Sequence, residues 1–104
     1  MCRGDLQLEF DGELHFYAQI TSWVNRGNEL VFDFEGKDAG FKYAGNCRLF
    51  VENGTYTGQG LFIYDNVKTP ARIIATFDES ESVITGVWQD DGDAEHYDLT
   101  VYLS

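Results

Sequence analysis

Residues 13–24 read ELHFYAQITSWV. Leu14, Phe16, Ala18 and Ile20 fall on one side of a two-residue period; Glu13, His15, Tyr17, Gln19, Thr21 and Trp23 fall on the other. A helix would bring its apolar positions back every three to four residues, so this spacing predicts a strand with one buried face. The same period recurs outward from this stretch. Leu30, Phe32 and Phe34 alternate with Val31, Asp33 and Glu35. Ala71, Ile73, Ala75 and Phe77 share a side, and Tyr97, Leu99, Val101 and Leu103 oppose His96, Asp98, Thr100 and Tyr102. Phe10, Phe16, Phe32, Phe34 and Phe77 are the expected aromatic core.

Turn chemistry punctuates the pattern. Asp11-Gly12, Asn53-Gly54 and Asp91-Gly92 are type I′ hairpin pairs, whose two central residues both take positive φ. NRGNE at 25–29 and EGKDAG at 35–40 are turn clusters, and FDESES at 77–82 is a polar hairpin tip. DNVKTP at 65–70 ends in the only proline and is expected in a loop or at an edge. The reading is about eight strands, near residues 4–10, 13–24, 29–35, 41–51, 55–64, 71–77, 82–89 and 95–103, with no helix. The fold class is all-β: one antiparallel meander over residues 1–104, closed or nearly closed as a barrel, with a β-sandwich as the alternative. Closure is favoured because it removes edge strands. Gly58 and Gly60 lie on one face of a strand and mark a bend or a close approach.

A meander with TGQG (57–60) before an aromatic strand, and with ITGVW (84–88) followed by YDLTVYL (97–103), resembles the calycin group of lipocalin and avidin-type barrels. The Gly-x-Trp spacing of lipocalins occurs at Gly86 and Trp88, in the seventh strand rather than near the N-terminus. The resemblance implies a ligand cavity inside the barrel.

Charge narrows the partners. The chain carries 18 acidic and 7 basic residues, a net charge of −11. Arg3, Arg26, Lys37, Lys42, Arg48, Lys68 and Arg72 are scattered, which argues against nucleic acid and against anionic membranes. Cys2 and Cys47 permit one bridge, but no spacing demands it. No apolar signal segment or bilayer-length run is present, so the expected compartment is the cytoplasm. No glycine-rich phosphate loop, nucleophile elbow or zinc spacing occurs, so no cofactor and no catalytic residue is assigned. RGD at 3–5 and NGT at 53–55 are short matches that chance and turn chemistry explain.

Asp90, Asp91, Asp93 and Glu95 read first as an acidic hairpin tip and second as a weak calcium site, because their spacing departs from a calcium loop. His15 and His96 are expected on outer faces; if the first strand pairs with the last, they come near one another. Tyr17, Trp23 and Tyr102 are also expected outside, beside Glu13, Asp33, Glu35 and Asp98. Trp88 shares a face with Ile84, away from Val83, Val87 and the inward set. Aromatic rings among carboxylates can hold an organic cation. Tyr17, Trp23, Trp88, Tyr102 and His15 are therefore the candidate ligand residues. The leading expectation is a non-enzymatic binding module for a small neutral or cationic, partly aromatic ligand. The alternatives are a protein-interaction module, either a homo-oligomer or an acidic, DNA-mimicking partner of a basic protein, and an enzyme on a barrel scaffold.

Overall fold

The structure, a computed structural model, describes residues 4–38 and 41–103. Cys2, Arg3 and the tip of the EGKDAG turn lie outside the described residues. Eight strands run in chain order: β1 (Gly4–Phe10), β2 (Glu13–Asn25), β3 (Glu29–Asp38), β4 (Phe41–Glu52), β5 (Thr55–Tyr64), β6 (Val67–Asp78), β7 (Val83–Asp90) and β8 (Tyr97–Leu103). Each pairs antiparallel with the next, and β1 pairs with β8, closing the barrel. The sandwich alternative is thereby settled. No helix of the described residues is long and apolar enough to cross a membrane.

Three of the two-residue turns are of the primed type. Asp11 and Gly12 have φ of 53° and 81°, Asn53 and Gly54 have 53° and 80°, and Asp65 and Asn66 have 48° and 66°. Their handedness matches the twist of the flanking strands. The expectation for Asp91-Gly92 is corrected: only Gly92 has positive φ there, and the amide of Asp93 donates to the Asp90 carbonyl at 3.1 Å. The longer connection to β8 frees this turn from the twist that a two-residue hairpin must match. Pro70 is also corrected, since it lies inside β6. Its carbonyl accepts from the Asp91 amide at 2.8 Å, so its ring nitrogen faces the same side. β7 ends at Asp90, and the missing N–H therefore costs no ladder bond.

The long strand β2 carries two irregularities. Leu8 stands opposite Phe16 but Glu9 opposite Leu14, leaving His15 as the extra residue. Ile20 stands opposite Phe34 but Ser22 opposite Asp33, leaving Thr21 as the second. Each bulge shifts the period by one residue. Leu14 is therefore 57% exposed, against its expected inward place. Trp23 turns inward, opposite Phe32 and packed on the core, against its expected outer place.

Inside, Leu6, Ile20, Leu30, Phe32, Phe34, Leu49, Ile73, Ile84, Trp88, Leu99 and Val101 are buried, with Cys47 among them. Trp88 and Ile84 were expected on the outer side of β7. They point inward, and Val83 and Val87 are the half-buried outer pair. Val83 and Val87 on one side and Ile84 and Trp88 on the other make both faces of β7 look buried, so the sequence leaves its phase open. The indole of Trp88 occupies the space left by Gly60: a Cβ there would lie 2.6 Å from Cη2 of Trp88. Gly45 likewise yields space to the ring of Phe34. An eight-stranded barrel is just wide enough to be filled by its own side chains, and these rings fill it.

Candidate functional site

The end of the barrel that carries the β1–β2 and β7–β8 connections is lined with aromatic rings. Phe10 closes β1, Tyr97 opens β8, and His15 is the bulged residue of β2. A bulge re-aims the side chain that it carries. Here it turns His15 onto Phe10, with ring centroids 5.7 Å apart and planes at 90°. Phe10 and Tyr97 lie 6.0 Å apart, and His15 and Tyr97 6.1 Å. A neighbouring layer, in which Phe16 packs on Tyr43 at 4.7 Å and on Phe62 at 5.1 Å, seals the core at this end.

The β7–β8 connection borders these rings. Gln89 donates from Nε2 to the Asp93 carbonyl at 2.9 Å, which ties the loop to its strand. The result is a mouth of about 490 Å³ lined by Phe10, His15, Asp93, Glu95, His96 and Tyr97, with Ala94 at its edge. It brings His15 and His96 into one depression, as strand closure predicted. It holds two carboxylates and four rings, three of them from three different strands, with no lysine or arginine among the described residues of the lining. Two larger depressions lie on the outer sheet. One, of about 740 Å³, sets Lys37 opposite Lys42; the other, of about 840 Å³, includes Arg72. Both carry cationic side chains where the mouth does not.

The sequence candidates separate into three places. His15 lies at the mouth. Tyr17 and Tyr102 stay on the outer surface, 42% and 45% exposed, on the strands either side of Asp5. The Tyr17 hydroxyl donates to Asp5 Oδ1 at 2.7 Å. Trp23 and Trp88 face the core, and Trp88 Nε1 donates to Asp90 Oδ1 at 2.8 Å. Asp90 therefore serves the indole, whereas Asp93 and Glu95 border the mouth. Among the described residues no three His, Cys, Asp or Glu side chains converge as a metal ion would need.

Phe10 and Tyr97 have the alternation of core residues, and that alternation hid them as site residues. Their position next to a barrel end, beside a long acidic connection, is the signal that could have marked them. Comparison with protein-family models, with curated proteins and with solved structures returns no match.

Proposed function

We propose that this chain is a non-enzymatic binding module for a small organic cation with an apolar or aromatic portion, held at the aromatic mouth. One observation supports the reading: Phe10, His15 and Tyr97 meet within about 6 Å of one another beside Asp93 and Glu95, with no lysine or arginine among the described residues of the lining. Ring faces attract a cation through their quadrupole, and the carboxylates add charge. The net charge of −11 raises the local concentration of cations around the molecule. The cavity that the calycin-group resemblance implies inside the barrel is taken up by Trp88, Phe32 and Phe34, which favours a ligand at the end rather than within.

Calorimetric titration with choline and with its uncharged carbon isostere tests this. Choline is expected to bind and the isostere to bind far more weakly. Removing the Tyr97 ring with Tyr97→Leu should raise the choline Kd about 2- to 30-fold, the range of one cation–π contact. Glu95→Gln should weaken binding in the same direction. Equal affinity for choline and its isostere, or no heat from either, would sink the proposal.

A further inference from the structure

The outer face of β4–β7 differs from the rest of the surface. Phe50 stands opposite Thr57, Thr57 opposite Ile74, and Ile74 opposite Val87, so these four residues form one continuous row across four strands. Phe50 is 49% and Ile74 51% exposed, and Val87 is half-buried. No carboxylate interrupts the row between Phe50 and Val87, and Glu29 beside Phe50 and Asp98 beside Val87 border its two ends. By contrast, the outer sides of β1–β3 present Asp5, Glu9, Asp33 and Glu35. Strands lie about 4.8 Å apart, so the apolar row spans roughly 15 Å.

The two flanks of the row carry opposite charge. Two residues toward the mouth end lies the row Arg48, Gln59, Arg72 and Gln89, each opposite the next. Two residues toward the other end lie Glu52 on β4 and Thr76 on β6, with Asp78 beyond. Arg48 and Glu52 are thus placed symmetrically about Phe50 on one strand. The Arg48 side chain is 65% exposed, and its Nε lies 3.7 Å from Glu29 Oε2.

This arrangement is self-complementary. A two-fold axis lying along the Phe50–Val87 row reverses strand direction while keeping the row on itself. It sets apolar row on apolar row, brings Arg48 of one copy to Glu52 of the other, and turns Arg72 toward Thr76 and Asp78. A chain of net charge −11 repels its own copies over most of its surface. Across the two flanks of the row, Arg48 of one copy instead attracts Glu52 of the other. We infer that the outer face of β4–β7 is the interface of a homodimer with its two-fold axis along the Phe50–Thr57–Ile74–Val87 row. The inference is independent of the ligand reading, because no residue of the row or of its two flanks lines the mouth.

Sedimentation velocity over a wide concentration range, with circular dichroism to confirm folding, provides the test. The native chain is expected to sediment as a dimer at high concentration. Ile74→Glu and, separately, Arg48→Glu should weaken association at least about tenfold, since each sets repulsion at the axis or its flank. The double exchange Arg48→Glu with Glu52→Arg should restore the dimer, which no misfolded variant would do. A native chain that stays monomeric throughout overturns the inference, whatever else the face then takes. So does a dimer that survives both single substitutions.

Discussion

Tyr17 shows how one outward residue couples folding to pH. The hydrogen bond to Asp5, with smaller contributions from desolvation and from the charge of Asp5, raises its phenol above the ordinary value of 10.0. A raised value means that the folded chain holds the proton more tightly than the unfolded chain. The stabilisation is therefore complete below the ordinary phenol range and is lost as pH rises through the raised value. Tyr17→Phe should lower the melting temperature at neutral pH, and its gap to the native chain should close above about pH 10. A gap that stays constant across that range would show that the hydroxyl makes no such linkage. Asp78 works in the opposite sense: the Ser80 hydroxyl and then the backbone amide of Glu81 hold its carboxyl below the usual range. Its stabilisation is present above the ordinary carboxyl range and is lost as pH falls through the lowered value. Cys47 is inert for a different reason, because burial, with Asp33 nearby, pushes its thiol far up and hides it from reagents.

At the scale of strands, β2 and β7 hold the lessons. Along β3, β6 and β8 the inward sets read from the sequence are those found, because their alternation runs unbroken: Leu30, Phe32 and Phe34; Ala71, Ile73 and Ala75, with Phe77 half-buried against them; Leu99, Val101 and Leu103, with Tyr97 half-buried at the end. Along β2 a period-two reading passes over the bulges at His15 and Thr21, since a bulge changes which residue faces its neighbour without changing residue type. An unbroken period therefore puts Trp23 on the surface, and it carries no sign of the aim of His15 at Phe10 and Tyr97. The phase of β7 hung on Gly60, a residue of another strand, whose missing side chain admits Trp88. Gly60→Ala should therefore cost about 1–3 kcal/mol, read as a lower urea midpoint with unchanged slope, because its methyl group would overlap the indole. The same substitution in a Trp88→Phe background should cost clearly less, since the smaller ring leaves room. Equal costs in the two backgrounds would show that the two residues do not share that space.

The whole molecule balances one closed core against one dominant charge. Closure of β1 on β8 removes the sheet edges and brings Tyr97, from the far end of the chain, to Phe10 and His15 in a single mouth. The net charge of −11 works against compactness through self-repulsion, which added salt screens. At low protein concentration the melting temperature should rise as sodium chloride increases to about 0.3 M, where the screening length falls to roughly 6 Å. A flat profile would mean that the carboxylates are spaced widely enough to coexist without strain.

Strand number, strand order and most turn positions were legible in the chain because period-two alternation and turn chemistry act over a few neighbouring residues. Asp11-Gly12 and Asn53-Gly54 adopt the backbone that their side chains favour wherever they stand. Which ring faces in, which histidine meets which aromatic, and which apolar residues line up outside depended on register between strands. Register is set by bulges and by the fit of large side chains against small ones across the barrel, as Trp88 against Gly60 and Phe34 against Gly45 show. Those interactions join residues that no local pattern relates, so they came into being only when the barrel closed.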